Sequence, residues 1–188
     1  LFCWVAGPEG GLYRIDLKDS KVKRIIKVPG THSRGQGGID YEWSPDRKWI
    51  AFTKRSGSGW YNIWITPFEG GKEINITKLN ALHSNQTWSP DGRYLFFQSD
   101  RDGEGLYAVA LREEDYRDNG DLKFEKPKGK LDIRIDFDNI HRRIRKVSSQ
   151  NPEADLNIMD DGRIFFLSDG NVWRLNYDGS ESKKITEN

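Results

Sequence analysis

The sequence predicts an all-β fold, a partial β-propeller of four-stranded antiparallel blades. Three observations carry that expectation. The tetrapeptide Trp-Ser-Pro-Asp occurs at 43–46 and again at 88–91, 45 residues apart, a spacing typical of propeller and solenoid repeats. Around it, "WSPDRKWIAFTKRSGSGWYNIWI" and "WSPDGRYLFFQSDRDGEGLYAVAL" share one order: turn, apolar strand, Gly-rich loop, aromatic strand. Two weaker copies complete the set. "IMDDGRIFFLSDGNVWRLNYDGSESKKIT" places Asp161-Gly162-Arg163 on Asp91-Gly92-Arg93, and "LFCWVAGPEGGLY" (1–13) lies without a gap on "LFFQSDRDGEGLY" (95–107).

Each unit divides into four strands. The first ends at the Trp, in "YEW" and "QTW". The turn after it suits its residues: proline has φ preset, Asp bonds its own backbone, and the Gly of "SPDG" accepts positive φ. The second strand, "WIAF", "YLFF" or "RIFFL", is apolar nearly throughout, as for a strand covered on both faces. The third alternates in "NIWIT", "LYAVA" and "VWRLN". The fourth, "KEINIT" or "SKKIT", is half polar and outermost. The units are blade 1 (1–30, lacking its opening strand), blade 2 (31–80), blade 3 (81–147) and blade 4 (148–188). Where "NIMDDG" replaces "WSPDG", blade 4 is expected to have a less regular first turn. Propellers close with about 4–8 blades, so an incomplete set leaves open faces and edges that recruit partners. Self-association is therefore expected.

Blade 3 carries a charged insertion, 112–140. Its first part, 112–130, holds 12 charged residues in 19 and reads as a solvated excursion. Leu131, Ile133, Ile135 and Phe137 then alternate with polar residues, which fits an added strand. "RRIRKV" (142–147) resembles "VKRIIKV" (22–28) and reads as the delayed fourth strand. The cluster His141, Arg142, Arg143, Arg145, Lys146 alternates with Ile144 and Val147, as on an ordinary surface strand rather than a phosphate site.

Composition narrows the partners. The 188 residues hold 30 Lys+Arg against 29 Asp+Glu, a net charge of +1. No global field draws nucleic acid or an anionic membrane, and no run of apolar residues suits membrane insertion. The single cysteine, Cys3, sits in an apolar run and reads as a small buried side chain. The chain opens without Met in what reads as mid-strand, so a piece of a longer protein is expected. Compartment stays open between cytoplasm and periplasm.

Motif by motif, catalysis finds no footing. "RSGSG" (55–59) lacks the leading Gly of a nucleophile elbow and falls between two strands. "GQGG" (35–38) is followed by Asp40 and no helix, unlike a phosphate-binding fingerprint. His32, His83 and His141 have no metal-site spacing. "DRDGEG" (100–105) resembles part of a calcium loop, but its twelfth position is Leu111 instead of Glu. No cofactor, metal or catalytic residue is expected.

The repeat "WSPDGRYLFFQSDRDGEGLYAVAL" is similar to those of the Tol-system periplasmic protein, the tricorn peptidases and prolyl oligopeptidase-like propellers. The segment "KPKGKLDIRIDFDNIHRRIRKV", a charged linker followed by an "IDFDxIxxRI" pattern, resembles the tricorn-like serine peptidases. The resemblance implies a non-catalytic propeller guiding or filtering peptides or unfolded polypeptide toward a catalytic module outside this chain. That module, a serine-peptidase domain beside a PDZ-like domain, and the missing blades would then be its partners. The alternatives are a Tol-like protein-interaction scaffold and the gating propeller of a prolyl oligopeptidase-type hydrolase. The loops before each innermost strand, 31–38, 81–86 and 148–155, would form the channel mouth. They carry its candidate residues His83, Asn85, Gln86, Asn151 and Glu153.

Overall fold

A computed structural model describes residues 2–5, 7–28, 40–57, 59–116 and 122–187. The loop 31–38, the stretch 117–121 and the Cys3 side chain lie outside what is described. The described residues form a partial β-propeller of antiparallel sheets. Blade 1 has three strands: β1 (Phe2–Val5), β2 (Gly11–Ile15) and β3 (Val22–Lys27). Blade 2 has four: β4 (Tyr41–Trp43), β5 (Trp49–Arg55), β6 (Tyr61–Pro67) and β7 (Ile74–Asn75). Blade 3 comprises β8 (His83–Trp88), β9 (Tyr94–Ser99), β10 (Gly105–Ala110) and β11 (Ile144–Ser148). Blade 4 comprises β12 (Ala154–Ile158), β13 (Ile164–Ser168), β14 (Asn171–Leu175) and β15 (Lys183–Lys184). No helix among the described residues is long and apolar enough to cross a membrane.

The two-sided apolarity of the second strands builds three seams. Ile50 and Phe52 of β5 pack with Leu12, Ile25 and Ile26 of blade 1. Ala51, between them, faces Leu95, Phe97 and Tyr107 of blade 3. Tyr94 and Phe96 then face Ile164, Phe166 and Leu175 of blade 4. Alternate side chains of one strand thus serve opposite neighbours, and each fully buried Leu, Ile or Phe contributes roughly 1.5–3 kcal/mol.

The Ser-Pro-Asp turn is held by its own side chains. Ser44 Oγ donates to Asp46 (2.6 Å) and accepts from the Trp49 N–H (2.9 Å). Ser89 does the same with Asp91 (2.6 Å) and the Tyr94 N–H (2.9 Å). Gly92 stands at φ +69°, and in blade 2 Arg47 occupies the same left-handed place at φ +61°. Blade 4 lacks the serine, and its turn is tighter by a residue. Trp43 pairs with Ile50 and Trp88 with Leu95, whereas Ile158 pairs with Ile164. Ile164, which aligns with Tyr94 in sequence, therefore takes the place of Leu95 in space. The slip exchanges the faces of β13, and an all-apolar "IFFL" tolerates the exchange.

A second repeated device locks third to fourth strands. Thr77 Oγ1 donates to Asn62 (2.8 Å) while accepting from the Ile63 N–H (3.1 Å). Asn171 and Thr186 repeat this pair in blade 4.

The insertion corrects two expectations. Residues 131–137 form no strand; they run as a strap outside the sheets, with one backbone bond from the Asp136 N–H to the Leu111 carbonyl (2.9 Å). Side chains replace a ladder: the Ile133 N–H donates to Asp46 Oδ2 (2.8 Å), and Trp49 Nε1 donates to the Ile133 carbonyl (3.2 Å). Nor is 112–130 solvated throughout. Leu122 is buried and Phe124 packs beside Tyr177 in the blade 3–4 seam, because apolar contact there outweighs the charge around it. Asp115 is buried too, paired with Arg93 and Arg112 (2.8 Å each). The 142–147 segment does supply a fourth strand, β11, beside β10. Arg143 is buried, with its guanidinium donating to the carbonyls of Ala110, Leu111, Asp136 and Asp138, a structural role.

The strap is seated on the turn glycines. A Cβ on Gly92 would stand 2.7 Å from Ile133, and one on Gly162 (φ +84°) 2.7 Å from Phe124. Gly162→Ala should therefore cost about 2 kcal/mol or more by denaturant unfolding, combining backbone strain with overpacking. In a Phe124→Ala background the same substitution should cost only about 1 kcal/mol, the backbone share. Equal costs in both backgrounds would mean that Phe124 does not rest on this turn.

Candidate functional site

The first strands β4, β8 and β12 lie side by side, each against the next. Their entry ends, opposite the Ser-Pro-Asp turns, are where the sequence places a channel mouth. The loop there is shorter than expected: β8 begins at His83 and β12 at Ala154, so 83–86 and 154–155 are strand. Backbone pairing with β9 and β13 extends each strand into the mouth.

The five candidate residues fall into two groups. His83 is 1% exposed, edge-on to Phe97 at 5.6 Å, and neither ring nitrogen has a hydrogen-bond partner. Burial, reinforced by the charge of Arg101, pushes its pKa down to about 4, so the imidazole is neutral near pH 7. Gln86 is also buried, and its Oε1 accepts from Thr53 Oγ1 (2.7 Å) across the blade 2–3 seam. These two face a seam instead of the solvent.

Asn85, Asn151 and Glu153 come together at the blade 3–4 seam. Asn85 Nδ2 donates to the carbonyls of Pro152 and Glu153, both at 2.9 Å, and to Gln98 Oε1 (3.1 Å). Asn151 Oδ1 accepts from Gln98 Nε2 (2.7 Å), and its Nδ2 reaches Glu104 (3.3 Å). Glu153 is exposed and caps the Asp169 N–H (3.2 Å). Asn85 holds φ +49° at a bulge in β8, and Asp155 holds φ +51° at the matching bulge in β12. Asn and Asp are the side-chain-bearing residues that best tolerate that conformation.

Sequence reasoning named Asn85 but missed Asp40, Asp155 and Glu42. Asp40, Asn85 and Asp155 stand three positions before Trp43, Trp88 and Ile158, a spacing visible in "DYEW", "NQTW" and "DLNI". Asp40 accepts from the backbone N–H groups of Asn85 and Gln86, as Asn85 reaches blade 4. Asp155 is exposed. The third is Glu42, whose carboxylate accepts from Thr87 Oγ1 (3.0 Å) and the Trp88 N–H (3.1 Å). Burial pushes its pKa up to about 7 despite those donors, and the charge of Asp40 adds to the rise. No group of three or more His, Cys, Asp or Glu among the described residues is placed to hold a metal. What the mouth offers chemically is amides and carboxylates, Asn85, Asn151, Glu153 and Asp155, suited to hydrogen-bonding an extended backbone.

No protein-family model matches the chain. A protein designated a tricorn-like protease C-terminal subunit, from Sulfurisphaera tokodaii, is 35% identical over 60 residues, 32% of this chain and 7% of that protein. The uncharacterized protein Atu1656 of Agrobacterium fabrum is 26% identical over 104 residues, 52% of this chain and 35% of that protein. Among solved structures, one designated TolB from Agrobacterium tumefaciens matches at TM-score 0.56 and 20% identity, covering all of this chain and 62% of its own. Hydrazine synthase of Kuenenia stuttgartiensis matches at TM-score 0.62 and 15% identity, covering 95% of this chain and 28% of its own. At such identities these structures share the fold, a TolB-like propeller, and the aligned chain spans less than two thirds of every one of these proteins.

Glu42 makes the blade 2–3 seam sensitive to pH. Its folded pKa of about 7 lies above the ordinary 4.5, so the folded state holds a proton that the unfolded state releases between those values. Its contribution is fully present below pH 4.5 and is lost as pH rises through 7. Wild-type stability should fall between pH 5 and 8 relative to Glu42→Gln, by on the order of 1–3 kcal/mol. Parallel pH profiles for the two proteins would show that Glu42 titrates normally.

Proposed function

We propose that this chain is the non-catalytic propeller segment of a tricorn-like serine peptidase, guiding or filtering peptides on their way to a catalytic module outside these residues. The observation that carries this reading is the 35% identity over 60 residues with the Sulfurisphaera tokodaii protein. The insertion in blade 3, whose "IDFDxIxxRI" pattern resembles the tricorn-like serine peptidases, supports it. The mouth supports it as well: Glu153 and Asp155 stay open to solvent beside amides already anchored to the blades. A second reading, a TolB-like interaction scaffold, is favoured by the likeness to the Agrobacterium tumefaciens structure over the whole chain.

The gene on either side of this segment separates the two. A PDZ-like region and a serine-peptidase module after Asn188 would establish the peptidase parent. A reading frame that closes after the last blade, behind an export signal, would leave the scaffold.

The open ends of the arc belong to the same proposal. Phe165, Leu167 and Val172 occupy the face of blade 4 turned away from blade 3, with Ile185 beside them at 47% exposure. In blades 2 and 3 the corresponding face seats the next blade, and Asp40 and Asn85 bond forward to it. Asp155 and this apolar face would seat the missing blades of the parent ring. The isolated 188-residue chain should then self-associate at roughly 100 μM in light scattering, and Phe165→Lys should reduce that association. A clean monomer at that concentration would count against the seat.

A further inference from the structure

A second hollow lies at the far end of the blades, where the strap crosses the Ser-Pro-Asp turns. It has a volume of about 810 Å³ and is lined by Asp91, Arg93, Arg112 and residues 125–132 of the strap. The strap is fixed on both sides of it. The Glu125 N–H donates to Asp91 Oδ2 (3.3 Å) with Phe124 seated on Gly162, and the Ile133 N–H donates to Asp46 with Ile133 seated on Gly92. Between these fastenings the segment Lys126-Pro127-Lys128-Gly129-Lys130 arches over a floor made by Arg93 and Arg112. Both guanidiniums are planted by the one buried carboxylate of Asp115.

The charges in this hollow do not cancel. Asp91 is occupied by Ser89, the Arg93 N–H and the Tyr177 hydroxyl. Glu125 pairs with Arg93 (3.1 Å), and Asp132 pairs with Lys48. Lys126, Lys128 and Lys130 are exposed and make no ion pair among the described residues. Arg93 is paired with Asp115 and Glu125, and Arg112 with Asp115 and Glu114, so the positive charge left open in the hollow is that of the three lysines. Proline fixes φ between Lys126 and Lys128, so their Cα atoms stand about 6–7 Å apart along extended backbone. Carboxylates on alternate residues of an extended peptide repeat at about 6–7 Å as well. Pro127 and Leu131 give the lining an apolar contact between the charges.

We propose that this hollow binds an acidic peptide segment in extended conformation, its alternate carboxylates meeting Lys126, Lys128 and Lys130 over the Arg93–Arg112 floor. The site is independent of the peptidase reading, since it lies at the opposite end of the strands from the channel mouth and stands on this chain's own residues.

The test is fluorescence anisotropy of a labelled Glu-Ala-Glu-Ala-Glu peptide titrated with the chain at low salt. A Gln-Ala-Gln-Ala-Gln peptide and unlabelled tripolyphosphate run alongside it. The acidic peptide should bind at least about tenfold more tightly than the neutral one, and weaken steeply between about 50 and 200 mM salt. The variant K126S/K128S/K130S should lose at least about tenfold in affinity. The control K18S/K21S/K72S, which removes the same charge from exposed positions elsewhere, should lose less than about threefold. Equal losses in the two triple variants would reduce the effect to net charge and overturn the site. Equal binding of both peptides, or no binding of the acidic one, would overturn it too. Binding of tripolyphosphate that depends on the three lysines, without peptide binding, would overturn the peptide as occupant and assign the hollow to phosphates.

Discussion

The constraint on which the rest of this structure depends is that its second strands are apolar on both faces. A sheet carrying Ile50 and Phe52 on one side and Ala51 with Ile63 and Ile65 on the other cannot be stable alone in water. It must be covered twice, and the chain covers it with copies of itself. Radial stacking follows from that, as do the aromatic residues that fill the widening space between sheets. The Ser-Pro-Asp turn is subordinate to the same need. Its hydrogen bonds fix where β5 and β9 begin, and so which side chains meet which neighbour. Blade 4 shows how strict the link is, because a turn tighter by one residue sends Ile164 and Phe166 where Leu95 and Phe97 stand in blade 3.

Polar groups at the axis obey a related rule: each first strand reaches forward to the next. Asp40 and Glu42 of blade 2 accept N–H groups of blade 3, and Asn85 of blade 3 donates to carbonyls of blade 4. The mouth is therefore made from the fasteners of the seams. Gln86 and His83 belong to the packing, whereas Glu153 and Asp155, on the last blade described, are exposed.

The fold class was legible because it rests on composition and period. Repeated turns, two-sided apolar strands and alternating third strands all encode local conformation. The Asn–Thr locks were also present, as "NIWIT…NIT" and "NVWRL…KIT", but a hydroxyl bonded across strands has no periodic signature and was passed over. The insertion was misread where tertiary contacts overrode local pattern. Alternation at 131–137 promised a strand, yet the Ile133 N–H goes to the turn carboxylate of Asp46 and the Asp136 N–H to the Leu111 carbonyl, and no ladder forms. At the mouth, polarity alone suggested solvent exposure for His83 and Gln86. Burial of a neutral imidazole against Phe97 cannot be read from its type, since the cover comes from residues far away in sequence.

The two ends of the arc are consequently held by different physics. At the turn end, a covalently continuous strap runs from the blade 3–4 seam across to Asp46 of blade 2, with apolar residues lodged on glycines that admit no side chain. Shear between these blades would lift Phe124 or Ile133 from its seat, so this end resists relative motion by close packing. At the entry end the blades are joined by hydrogen bonds of Asp40, Glu42, Asn85 and the Thr53–Gln86 pair, exchangeable with water as packed methyl groups are not. One of those bonds depends on a carboxyl group that titrates near neutrality. The two ends of the arc therefore hold the blades together differently, by close packing at the turns and by hydrogen bonds to carboxylates and amides at the entry ends.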